Sequence, residues 1–185
     1  MKTEVKLGAA LKDLMTREPL DKITVKRLTD MCGINRQTFY YHFRDIYDLL
    51  TWIYLNESIQ EIKGVTNWKE GVRACLNYIS KNSVFVKNTL SSAGRDLFMN
   101  FIYSSVYNAN IRVLTKADEK GILTSDDKRF VASFITPSFV SLITRWADSD
   151  GKESIDSLLK RIDILMDGYI YDVIERFAKN KGEGK

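Results

Sequence analysis

An all-α fold is what this chain of 185 residues predicts, and three observations carry that reading. Only two prolines, Pro19 and Pro137, and few glycines interrupt it, so long stretches hold nothing that stops a helix. Apolar residues recur at helical spacing from the first turn onward, as Leu7, Leu11, Leu14 and Met15 do. Around Gly33 a helix stop is followed within a few residues by a fresh helix start. The length accommodates a three-helix head and a larger helical body, which the pattern divides into 1–48 and 49–185.

The first helix is the one striped by Leu7, Leu11, Leu14 and Met15, and Glu18-Pro19 closes it. In the second, Thr24 is the N-cap, with Ile23 before it and Leu28 four positions inside forming a hydrophobic staple. That helix runs to Met31-Cys32 and stops at Gly33, a residue free to turn left-handed. The start signal then repeats, with Asn35 as N-cap and Ile34 and Phe39 as the staple. Two capped helices joined by a tight glycine turn make a helix-turn-helix, with Asn35 to Phe43 as its recognition helix.

Phe39 and Phe43 anchor that helix, which leaves Arg36, Gln37, Thr38, Tyr40 and Tyr41 facing outward. Arg36 suits the O6/N7 edge of guanine, and Gln37 suits adenine or a phosphate. Thr38 suits the thymine methyl or a phosphate, while Tyr40 and His42 are backbone-positioning donors. Thr24 and the first N–H groups of its helix can meet a phosphate. Between residues 22 and 44 five cations, Lys22, Lys26, Arg27, Arg36 and Arg44, face one anion, Asp30. That local excess equals the chain's net charge of +4, and it is what phosphate binding requires. The competing readings are a solvated charged face, tyrosines packed on neighbouring helices, and a capping histidine.

The segment ITVKRLTDMCGINRQTFYYHFRDIYDLL resembles the TetR family of bacterial transcriptional regulators. Thr24, Gly33, Thr38, Tyr40, His42 and Phe43 match its signature, a threonine opening the second helix, a glycine turn and a T-x-Y-x-H-F ending. The likeness covers residues 5–50, and the run YYHFRDIYDLLTWIYLNE is similar to the branch that includes dihydroxyacetone-kinase regulators. It implies an all-α homodimer with two heads in successive major grooves of a palindromic operator. It also implies a body that binds a small-molecule effector, and a repressor released or modulated by that effector. The alternative is a co-regulator or activator that works through a protein partner with weakened or no DNA binding of its own. One position departs from the family: Ile46 stands where many members carry a phosphate-anchoring lysine.

The body reads less clearly. An apolar run from Asp48 through Leu49, Leu50, Trp52 and Ile53 to Ile62 predicts one helix ending at Gly64. Further helices are expected at 68–81, 83–90, 95–120, 126–148 and 154–179, the fourth kinked or displaced by Pro137. An irregular tail, Asn180 to Lys185, follows. The last two helices are the expected dimer interface, through Phe130, Phe134, Val140, Ile143 and Trp146, then Ile155, Leu158, Leu159, Ile162, Leu165, Tyr169 and Phe177. Phe98, Phe101, Tyr103, Tyr107 and Trp146 are the candidate effector-binding residues, with plain core packing as the competing reading. Arg112 and Arg145 are read as partners of an internal salt bridge or of an anionic effector.

Several function classes fall away. There is no P-loop, no dinucleotide glycine fingerprint, no HExxH and no G-x-S-x-G, so no enzyme is expected. His42 is the single histidine, and Cys32 and Cys75 lie far apart with no metal-ligand spacing, so neither a metal nor a cofactor is expected. Charges are mixed into the N-terminal MKTEVKLGAALKDL and no run of eighteen apolar residues occurs, which predicts a cytoplasmic protein without a membrane span.

Overall fold

Leu7, Leu11, Leu14 and Met15 do share the buried face of one helix, and the same logic extends down the chain. The structure, a computed structural model, describes residues 2–182. Its elements are α1 (Thr3–Met15), α2 (Val25–Cys32), α3 (Arg36–His42), α4 (Ile46–Asn56), α5 (Trp68–Lys81), α6 (Ser83–Leu90), α7 (Arg95–Ala117), α8 (Ser125–Asp148), α9 (Ile155–Met166) and α10 (Tyr169–Gly182). Single 3-10 turns occupy Leu20–Lys22 and Gln60–Ile62. The chain divides into two compact units, one of Met1–Ser58 with Lys81–Phe101 and one of Ile59–Ser80 with Ile102–Lys185. The expected division at residue 48 therefore falls inside the first unit.

In the first unit α6 joins the head. The Asn88 amide donates to the carbonyl of Met15, an acceptor that the end of α1 leaves without a helical partner, and to that of Glu18 in the turn beyond. Tyr54 of α4 is buried among Phe85, Phe98 and Phe101, and its hydroxyl donates to Thr89 at 3.0 Å. Lys12 reaches Glu57 at 2.6 Å while its ammonium lies over the Phe85 ring. This contact marks a correction. The run expected as one helix to Ile62 ends at Asn56, whose amide caps the Trp52 carbonyl, and Glu57 takes an extended backbone.

In the second unit α9 is tied to α5 by Lys69–Asp163 at 2.8 Å and Arg73–Asp156 at 2.7 Å. Val113, Leu114, Val131, Ala132, Ile135, Ile170 and Ile174 form a core shared by α7, α8 and α10. The stretch expected as one helix over 154–179 breaks at Asp167-Gly168, because Gly168 has φ 68°, a conformation that ends a helix. Helix α10 runs past Asn180 to Gly182, and residues 183–185 of the expected tail lie outside the described residues. Helix α8 continues through Pro137, which sits on its exposed side, where solvent can meet the carbonyl one turn back. By length and composition α8 is apolar enough to cross a membrane, yet its packed face and the buried Asn110–Thr136 hydrogen bond mark a core helix.

The turn between α7 and α8 is built on Asp118. Burial alone would raise this carboxyl, but the amides of Ile122 and Leu123 and the Lys128 ammonium outweigh it and hold the group below its ordinary range. A carboxyl so depressed adds stability above its unfolded-state titration, and that stability is lost as pH falls through the folded-state value. We expect Asp118→Asn to lower the urea midpoint at neutral pH and to leave it closer to wild type in acid; equal losses at both pH values would contradict this.

Candidate nucleic-acid interface

Both expected N-caps form. Thr24 accepts from the Arg27 amide at 3.2 Å, Gly33 closes α2 at φ 62°, and Asn35 accepts from the Thr38 amide at 2.8 Å. The second helix of the pair is held from beneath by Phe39, which is fully buried, and by Phe43. Arg36 and Gln37 project from the first turn of α3, exposed and without a hydrogen bond or ion pair among the described residues. Tyr40 is exposed and Tyr41 is 86% exposed, so neither packs on a neighbouring helix. The Thr38 hydroxyl donates to Asn35 at 2.9 Å, which turns it inward as a donor while its lone pairs and methyl stay available.

The flanking charges are partly engaged. Lys26 pairs with Asp30 at 3.2 Å and Arg27 with Glu18 at 2.7 Å, while Arg44 approaches Asp48 at 3.6 Å. Lys26–Asp30 is an exposed pair, of a kind that contributes about 0–1 kcal/mol, whereas Glu18 in the Arg27 pair is largely buried. His42 sits beside α1. Its Nδ1 lies 3.2 Å from Glu4 on α1, which leaves Nε2 as the nitrogen available for an outside contact. Ile46, at the position of the family lysine, is buried and serves the core of the head. Beside it, the Tyr47 hydroxyl donates to Asp21 at 2.7 Å, a bond that raises the phenol together with its partial burial. Sequence reasoning missed Glu4 and Asp21, because both partners lie far away along the chain.

The candidate effector residues are dispersed. Phe98 and Phe101 pack around Tyr54 in the first unit. In the second, Tyr103 stacks on Tyr107, and the Trp146 indole N–H donates to the Glu153 carbonyl at 2.7 Å, bracing the turn after α8. None of the five lines either described cavity. The larger cavity, of about 320 Å³, is lined by Trp68, Val113, Met166, Ile170 and Tyr171 among others, with Lys116, Glu119 and Asp167 at its polar side. Arg112 forms no ion pair among the described residues: its guanidinium donates to the backbone carbonyls of Ile62 at 2.7 Å and Val65 at 3.4 Å. Burial pushes the Cys75 thiol up to about 12 and also raises Cys32, which leaves both protonated and unreactive near neutral pH.

Comparison with known proteins agrees with this architecture. Residues 66–168, more than half of the chain, match a TetR-type family described as "Transcriptional regulator C-terminal region". The HTH-type dhaKLM operon transcriptional activator DhaS of Lactococcus lactis subsp. lactis (strain IL1403) is 31% identical over 86 residues, 45% of this chain and 46% of that relative. The match thus spans about half the length of that curated relative. Two solved structures share the fold. A dihydroxyacetone kinase operon activator DhaS superposes with a TM-score of 0.62 at 20% identity, covering 94% of each chain. The fatty acid degradation regulator FadR from Bacillus halodurans gives 0.59 at 17% identity, covering 90% of this chain and 95% of that one. The chain belongs to the TetR family of transcriptional regulators.

Proposed function

We propose that the chain acts as a homodimer that reads a palindromic operator with α3 and answers to an effector through its second unit. The observation that carries this reading is the outer face of α3, where Arg36, Gln37, Tyr40 and Tyr41 stand exposed on a helix whose other side is fixed by Phe39. A short helix with its polar groups unpaired and its apolar side anchored is what major-groove readout needs. Arg36 and Gln37 meet base edges; Thr24, Lys26, Thr38, Tyr40, Tyr41, His42 and Arg44 serve mainly the backbone. With Ile46 buried, the lysine's phosphate contact passes to Arg44, whose side chain is 88% exposed.

The dimer forms through α8, where Phe130 and Phe134 face solvent one turn apart. Of the other residues expected at the interface, Leu165 is 77% exposed, while Val140, Ile143, Leu158, Leu159 and Ile162 are buried within the chain. Whether operator binding represses or activates depends on where the operator lies relative to the promoter. The effector, a small molecule or a protein, acts on the second unit, and the cytoplasm is where operator DNA would be met.

Fluorescence anisotropy with labelled duplex from upstream of the chain's own gene tests the reading. Lys26 and Arg44 from two heads give about four phosphate contacts, for which affinity falls about 10²-fold between about 50 and 200 mM salt. Absence of duplex binding at low salt would overturn it.

A further inference from the structure

The cavity of about 320 Å³ in the second unit combines apolar side chains with free charges of both signs. Trp68, Val113, Met166, Ile170 and Tyr171 are its apolar part. The Trp68 ring stacks on Phe139 with centroids 5.9 Å apart, which fixes it as a surface. Four charged residues line the same space, and of these Asp163 is already paired with Lys69 at 2.8 Å. Lys116, Glu119 and Asp167 are exposed, and their side chains have neither a hydrogen bond nor an ion pair among the described residues. Helix α7 ends at Ala117, between Lys116 and Glu119, so these two lack the helical i,i+3 register in which such residues pair. Asp167 precedes Gly168, whose φ of 68° turns the chain between α9 and α10.

A concave site of this size, with an apolar lining and a few polar groups, has the usual form of a small-molecule site. Its free charges narrow the class of ligand. An ionised carboxylate only accepts hydrogen bonds and an ammonium only donates them, so Glu119 and Asp167 call for a cationic group and Lys116 for an anionic one. A simple amine satisfies the two carboxylates and is repelled by Lys116. A simple acid satisfies Lys116 and is repelled by the carboxylates. We propose that this cavity binds a free amino acid with a large apolar side chain: its ammonium goes to Glu119 and Asp167, its carboxylate to Lys116, and its side chain to Trp68, Met166 and Ile170. The inference rests on the reading that the second unit answers to an effector, and it gives that effector a chemical class. Such a ligand bridges the end of α7 to the turn between α9 and α10.

The test is isothermal titration of the full chain at neutral pH with L-phenylalanine, L-leucine and L-tryptophan. A ligand of about a dozen heavy atoms should bind at about 0.1–1 mM, so each is taken to about 10 mM. The amino acid that binds is then compared with the matching amine and the matching acid, which for phenylalanine are phenethylamine and 3-phenylpropionate. Each lacks one charge-assisted contact and should bind about tenfold more weakly. Lys116→Met should remove the advantage over the amine, and Glu119→Gln combined with Asp167→Asn the advantage over the acid. All three side chains are exposed, so the variants should keep the wild-type circular dichroism. If the variants weaken amino acid, amine and acid equally, the charges do not read the ligand and the proposal is overturned. Failure of all three amino acids to bind also overturns it, while operator binding, read by anisotropy, stands apart. An amino acid that binds in this pattern yet leaves operator affinity unchanged supports the site and refutes the effector reading on which it was built.

Discussion

Phe134→Glu should convert the proposed dimer to monomers and lower operator affinity by about 10²–10⁴-fold, because one head can no longer hold its partner near the second half-site. Phe130 and Phe134 are 68% and 69% exposed, and both lie on the face of α8 turned away from Val131, Ala132 and Ile135. An interface around a two-fold axis uses the same patch on both copies, so a single substitution introduces two like charges into one apolar contact. The fold of the individual chain should be unaffected, since position 134 contributes little to its own core. Sedimentation at micromolar concentration reads the association state and anisotropy the affinity. A variant that stays dimeric, or a wild type that sediments as a monomer, would refute α8 as the interface.

Phe39→Ala should cost about 3–5 kcal/mol and abolish operator binding with it. Helix α3 has only seven residues, far below the length at which a helix persists alone, so its shape depends on what it buries. Phe39 is fully buried, with its ring 5.5 Å from Tyr40 and 5.9 Å from Phe43. Losing the ring removes the anchor that aims Arg36 and Gln37 outward. Tyr41→Ala is the matching control: the side chain is almost entirely exposed, so stability should change by no more than about 0.5 kcal/mol while affinity falls. Thermal unfolding compares the two, and a Phe39 variant as stable as the Tyr41 variant would contradict the packing account.

Local signals in the chain were strong enough to locate the head. Thr24, Gly33 and Asn35 act within four residues of themselves, through caps and one left-handed turn, and all three do in the structure what their spacing predicts. Interactions across long sequence separations were not legible. Asn88 on the carbonyls of Met15 and Glu18, Arg112 on those of Ile62 and Val65, and Glu4 on His42 join residues 38 to 73 positions apart. No periodicity records such partners. The body's apolar stripes were visible, but a stripe does not say whether its cover is another helix of the same chain or a second copy. Val140 and Ile143 have the former, whereas Phe130 and Phe134 stand exposed on the chain. Gly168 was a visible stop signal, yet the strong apolar pattern on either side of it reads as one helix.

Selection of bound duplexes from a random-sequence pool, run with wild type and with Arg36→Ala, tests the central claim most directly. If α3 reads bases from a two-fold dimer, wild type should enrich a palindrome whose half-sites lie about 34–36 Å apart. Arg36→Ala should lose preference at one symmetric pair of positions, at a cost of about 1–3 kcal/mol per contact. Enrichment of no motif by wild type, or an unchanged motif with Arg36→Ala, would contradict the assignment of α3 as the element that reads DNA.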